Sequence, residues 1–212
     1  DYDTHNSFAS GKNSNDGDAH FWGIGALAKM AYANNWYSEA SIRFGHAKNE
    51  FDGKDLGTHT DYDAEGDFYS LHVGGGYVWQ LNPSDSIDTY AKFFYTHQEG
   101  DSTTTDDGHR LKFDDVESQR LRIGGRYTHL IDASRNFYVG LAYEHEFDGE
   151  AKAKNEGQKI KSPDLEGGTG IGEIGIQFKP KSNSALTLEV GLHGYVGKRE
   201  GVTGGIQANW AF

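Results

Sequence analysis

Charged residues recur at every second position along several stretches of this chain, and that spacing is where chemistry could lie. Arg120, Arg122 and Arg126 share one face of a period-two stretch, Glu144 and Glu146 share another, and Lys29, Glu39, Arg43, Lys92, Glu173 and Glu189 hold equivalent alternate positions elsewhere. A set of both signs on one face of neighbouring strands can do either of two things. It can form ion pairs that stiffen a wall, or it can line a hydrated conduit that holds or guides an unfolded polypeptide. Spacing leaves both readings open. Other chemistries lack their residues. Asp61, Asp63, Glu65 and Asp67 imitate the first half of a calcium loop, but its twelfth position is His72 instead of Glu, and the segment leads into a strand. The 10 histidines contain no H-x-x-x-H pair, so no metal is expected. No serine-nucleophile motif is present and the glycines form no phosphate loop, so no catalytic residue is assigned, no cofactor is expected, and the chain reads as a non-enzyme. A net charge of -12 without a basic run excludes nucleic acid as a partner.

The elements that must position these charges are strands. The chain has 212 residues, 29 Gly, 3 Pro and no Cys, with 13% aromatic residues. No apolar run is long enough for a transmembrane helix. Instead, apolar and polar residues alternate. Trp22, Ile24, Ala26, Ala28 and Met30 oppose Gly23, Gly25, Leu27 and Lys29, and Trp36 to Phe44 returns after the Asn34-Asn35 turn. The same pattern recurs around residues 69–80, 87–96, 120–127, 137–147, 172–179 and 186–193. Short turns at Asn34-Asn35, 82–85, 132–135 and 180–184 alternate with long polar loops at about 49–66, 98–116 and 149–168. Residues 1–10 read as the upper part of an upward strand, and a further loop is expected to about Asp18.

Aromatic residues sort by height. Trp36, Trp79, Tyr127, Phe137 and Phe178 lie near the short turns, and Trp22, Phe44, Tyr69, Tyr95, Tyr143 and Phe147 lie near the long loops. Two aromatic girdles separated by aliphatic residues and glycine are what a bilayer imposes on the outside of a barrel. The predicted fold is therefore all-β: one antiparallel transmembrane β-barrel domain over residues 1–212, with about ten strands in this chain. Ile123 and Leu188 are expected to face lipid, and Gly124 and Thr187 to face water, where a larger side chain is limited only by room. The short turns, with Asp85 and Ser134, are expected on the periplasmic side, and Asp55 and Asp106 outside the cell.

The terminal stretch G-G-I-Q-A-N-W-A-F places Ile206, Ala208, Trp210 and Phe212 on one face behind Gly204. It resembles the C-terminal recognition signal of bacterial outer-membrane barrels. Together with D-G-D-A-H-F-W-G-I-G-A-L-A, N-N-W-Y-S-E-A-S-I-R-F-G, L-R-I-G-G-R-Y and F-Y-V-G-L-A-Y-E, the layout resembles the translocator domain of bacterial autotransporters over nearly the whole chain. That resemblance implies a twelve-stranded barrel in the Gram-negative outer membrane, a linker helix in its pore and a passenger that it helps export. It also implies three partners: the bilayer with its lipopolysaccharide, the barrel-assembly machinery acting through the terminal strand, and the chain's own passenger segment. About two further strands are expected before Asp1, because residues 1–10 are too polar to span, and the segment is not expected to close a barrel alone. A small porin, or an adhesin-like barrel with ligand-binding acidic loops, is the alternative function.

Overall fold

The computed structural model describes residues 2–8, 11–55, 58–104, 108–155, 158–160, 164–180 and 184–210. Its strands are β1 (Tyr2–Phe8), β2 (Gly11–Ala31), β3 (Trp36–Asp55), β4 (Thr58–Gln80), β5 (Asp85–Gln98), β6 (Ser102–Thr104), β7 (Arg110–Phe113), β8 (Val116–Asp132), β9 (Arg135–Glu146), β10 (Ala153–Asn155), β11 (Gln158–Ile160), β12 (Gly167–Phe178), β13 (Leu186–Gly197) and β14 (Gly201–Trp210). Ten of them form an antiparallel meander in the order β1-β2-β3-β4-β5-β8-β9-β12-β13-β14. The ladder does not return from β14 to β1, so the described residues form an open, curled sheet.

Alternation fixes which face is which, and the register carries it from strand to strand. Ile24, Phe44 and Tyr69 stand opposite one another on β2, β3 and β4, and Ile123 and Tyr143 on β8 and β9. The apolar face is the exposed one: Ile24 is 76% exposed, Leu141 75% and Ile123 57%. The polar face is the buried one, with Tyr138 and Glu144 each 2% exposed. This arrangement is inverted for water and correct for hydrocarbon. Curvature shows in side chains that reach over an intervening strand on the polar face, as Tyr37 of β3 does to Asp88 of β5 and Arg126 of β8 to Glu173 of β12.

Both girdles are present. At the short-turn end Trp36 packs edge-on to Tyr77 at 5.2 Å and Tyr77 to Trp79 at 4.6 Å. At the other end Tyr69 lies 5.9 Å from Tyr95, and His145 4.6 Å from Phe147. The Asn34-Asn35 turn is set by Asn35 at φ 66°, a left-handed conformation that Asn tolerates better than most residues.

Several stretches expected as loops are sheet. The span 11–18 is the beginning of β2, paired with β1 from Tyr2↔Gly17 to Phe8↔Gly11. The span 49–66 is the far end of a long hairpin in which β3 and β4 stay in register out to Asp55↔Thr58. The loops after β5 and β9 carry β6, β7, β10 and β11, which pair into a second sheet of order β11-β10-β7-β6. Backbone hydrogen bonding continues past the bilayer because a strand ladder needs no apolar side chains. Asp106 lies outside the described residues, while Asp85 and Ser134 sit in the short turns as expected.

Candidate functional site: the charged concave face

The sheet brings the inward charges together as three connected clusters. In the first, Glu39 of β3 accepts from Lys92 Nζ at 2.6 Å, with Lys29 Nζ at 4.0 Å. His72 Nε2 lies 3.2 Å from the same carboxylate, but without hydrogen-bond alignment, so this is a charge contact only. The Lys29 ammonium rests 4.1 Å over the Tyr37 ring, and Tyr37 Oη donates to Asp88 at 3.0 Å.

The second cluster centres on Glu144. Arg122 donates to it through Nε at 2.8 Å and Nη2 at 2.7 Å, Arg199 donates to its other oxygen, and Arg120 Nη1 is 3.9 Å away. Its neighbour Glu146 accepts from Ser118 Oγ and the Gln119 amide, each at 2.7 Å, and lies 3.6 Å from Arg120 Nε. The Phe94 ring underlies this group: Arg120 and Arg122 stack on it at 5.5 and 5.1 Å, and His72 lies parallel to it at 4.8 Å, joining the first cluster to the second.

In the third cluster Arg126 forks onto Glu173 with two bonds of 2.7 Å and covers the Tyr138 ring at 4.2 Å. His193 Nδ1 is 3.7 Å from Glu173. Glu189 makes no ion pair among the described residues; it accepts from Tyr138 Oη and Gln177 Nε2, each at 2.7 Å. Bidentate Arg–carboxylate pairs of this kind are among the strongest polar contacts available, and they fix both partners in place.

Glycines make room for these side chains. The Tyr138 ring lies over Gly175, and Tyr90 over Gly124, where an added Cβ would meet the ring at 2.7 Å. Gly124 therefore faces inward as expected, and the Tyr90 ring and Ala142 occupy the room that a larger residue there would need.

Of the charges singled out by spacing, all lie on the concave face and all but Arg43 meet a partner there. Arg43 leans over Gly25, is exposed, and has no ion-pair partner among the described residues. Two participants escaped the charge pattern. Arg199 sits in the turn between β13 and β14, where no alternation marks it; its amide binds Thr169 Oγ1 at 3.2 Å and its neighbour Lys198 donates to the Gly168 carbonyl at 3.0 Å, which steers the guanidinium down to Glu144. Asp88 has the right period, and its hydrogen-bond partner is Tyr37, two strands away, which no charge pattern marks. Among the described residues no group of His, Cys, Asp and Glu is placed to hold a metal ion.

The terminal strand is placed as its alternation demands. Ile206, Ala208 and Trp210 pair with Val190, Leu188 and Leu186 on the outward face, and Gly204 with Leu192. Phe212 lies outside the described residues.

A meandering sheet with an aliphatic exterior, two aromatic girdles and a buried, ion-paired concave face is the wall of an outer-membrane β-barrel. The family model of the autotransporter beta-domain matches residues 3–191, and the chain belongs to that family. Among solved structures, the β domain of the Bordetella autotransporter BrkA is similar with a TM-score of 0.72 at 14% identity, over 99% of this chain and 87% of that one. The transport unit of the Escherichia coli autotransporter AIDA-I is similar with a TM-score of 0.53 at 12% identity, over 98% of this chain and 87% of that one. No curated protein matches in sequence. The domain is an outer-membrane translocator for passenger export.

Proposed function

We propose that the concave charged face is the surface past which the attached passenger is exported, and that the domain does this without covalent chemistry. One observation carries the reading: most charges of this face are already paired with one another while the opposite face is aliphatic and exposed. A wall of paired charges is wettable yet presents little net field, so an unfolded chain of either sign slides by without being held. The carboxylates that could act as general acids or bases are clamped by guanidiniums, lysine or tyrosine, which suits a wall better than a reaction centre.

The free backbone edges of β2 and β14 need partner strands in the membrane, since each unsatisfied group in hydrocarbon costs several kcal/mol. The outward row Ile206, Ala208 and Trp210, with Phe212 beyond it, offers the barrel-assembly machinery an apolar strand edge, and lipopolysaccharide surrounds the outer girdle.

The reading is tested with the full-length protein carrying an epitope in its passenger. Protease added to intact cells should remove the epitope, and deletion of residues 186–210 should leave it protected inside. Protection in the intact protein overturns the proposal.

A further inference from the structure

Several side chains of the concave face reach their partners by passing over a glycine on the strand between. Arg126 of β8, Gly140 of β9 and Glu173 of β12 stand in one register row, and the pair closes across the glycine with two bonds of 2.7 Å. Tyr37 of β3 crosses Gly76 of β4 to Asp88 of β5, and Tyr138 of β9 crosses Gly175 of β12 to Glu189 of β13. In those two cases the acid sits two residues off the row, toward the short turns. The reason is spatial. Neighbouring strands lie ~4.8 Å apart, so a long side chain lies flat across one of them most easily where that strand has no Cβ.

Arg43 makes the same crossing toward the other end of the sheet. It stands opposite Gly25 of β2, and its Cγ lies 2.7 Å from where a Cβ on Gly25 would be. At that height β2 is the last strand of the ladder, because β1 covers only the part from Gly11 to Gly17. Arg43 therefore leans toward an edge that no described strand occupies. The nearby groups are engaged elsewhere: Glu39 with Lys92, Ser41 with His72 Nδ1 at 3.4 Å, and Ser70, directly opposite on β4, with Thr96 Oγ1 at 2.9 Å. Its counter-charge must come from beyond β2.

We infer that the free edge of β2 is covered by the segment that leads into β1, extended as a strand, and that this strand presents an Asp or Glu to Arg43. The inference rests on the outer-membrane reading above, in which that edge has to be paired. Register gives the position. Tyr2 stands opposite Gly17, and Gly25 lies eight residues further along β2, so an unbroken antiparallel ladder puts the residue eight before Tyr2 opposite Gly25. An acid in the row, as Glu173 is for Arg126, stands there; an acid displaced toward the short turns, as Asp88 and Glu189 are, stands ten before Tyr2. Both positions face the lumen, by the same alternation that puts Gly25 and Leu27 inward.

The test uses the full-length protein. Its sequence should carry Asp or Glu eight or ten residues before Tyr2, and any other residue at both positions overturns the inference. Ile24→Cys and a cysteine seven residues before Tyr2, which the register sets directly opposite each other, should form a disulfide in the folded barrel, seen as a mobility shift lost on reduction; no disulfide overturns the pairing. Arg43→Glu should lower the folding equilibrium constant in lipid vesicles about fivefold, the scale of one partly exposed ion pair, and adding Lys in place of the acid should restore it. Wild-type stability in Arg43→Glu, or no recovery in the exchanged pair, overturns the inference and leaves Arg43 to carboxylates of the passing polypeptide. Passenger export reads the translocator function separately and should continue in the exchanged pair; loss of export from the wild type itself would instead strike the underlying reading.

Discussion

Replacing Glu144 with Gln keeps the shape of the side chain and deletes the charge that holds the second cluster together. The carboxylate is 2% exposed and faces Arg122 at 2.7 and 2.8 Å, Arg199, and Arg120 at 3.9 Å. Removing one partner of a buried ion pair costs ~3–5 kcal/mol, because the opposite charge is left uncompensated. The three guanidiniums are 25%, 27% and 30% exposed, so water recovers part of their solvation and the lower end applies, ~3 kcal/mol. If the loss comes from stranded cations, deleting one of them must relieve it. Glu144→Gln combined with Arg122→Gln should therefore cost less than the two single changes added, by ~0.5–3 kcal/mol. Urea unfolding of the full-length protein in lipid vesicles, followed by tryptophan fluorescence and by the shift of heat-modifiable migration, measures all three variants. A loss below ~0.5 kcal/mol for Glu144→Gln, or strict additivity in the double variant, would refute the claim that this carboxylate organises the wall.

Three further outcomes are expected from the same unfolding assay. Ile123→Arg places a charge on the aliphatic exterior and should cost ~2–4 kcal/mol, whereas Thr187→Arg on the concave face should cost much less; equal losses would contradict the assignment of faces. Gly175→Ala should cost ~1–3 kcal/mol, because the new methyl meets the Tyr138 ring and displaces its hydrogen bond to Glu189, and a neutral result would show that the ring has room to move. In the turn, Asp85 accepts from Tyr127 at 2.5 Å, His129 at 2.7 Å and Asn82 at 2.6 Å, and these bonds hold its carboxyl down at about 2. With a folded value below the ordinary ~3.9, its contribution is complete above that pH and is lost as pH falls toward 2, so Asp85→Asn should flatten the acid limb between about pH 4 and pH 2. An unchanged acid limb in Asp85→Asn would count against that turn.

Most of the wall was legible because period-two alternation survives wherever lipid lies on one side and water on the other. Rows such as Ile24, Phe44 and Tyr69 follow from the pattern alone, and so does the inward placement of Arg122, Glu144 and Glu173. The signal disappears where both faces meet water. The ends of β3 and β4 near Asp55 and Thr58, the start of β2 at Gly11, and the small sheet around Lys112 and Lys154 are polar on both sides, so they read as loops although their backbones pair. Three-dimensional closeness escaped for a different reason. That Tyr90 fills the space above Gly124, or that Arg199 drops from a turn onto Glu144, depends on sheet curvature, which no local pattern encodes. Arg43 shows the converse: alternation gave its face correctly and implied a partner that the described residues do not supply.

The central claim is that the exported polypeptide passes along the concave face, and site-specific crosslinking tests it most directly. The 212 residues contain no cysteine, so single cysteines can be placed at Ser41 and Ser70 on the concave face and at Leu71 and Ile123 on the lipid face. With a passenger stalled during export and carrying one cysteine, disulfide crosslinks should form from Ser41→Cys and Ser70→Cys and be absent from Leu71→Cys and Ile123→Cys. Crosslinks of equal yield from both faces, or from the lipid face alone, would contradict the account.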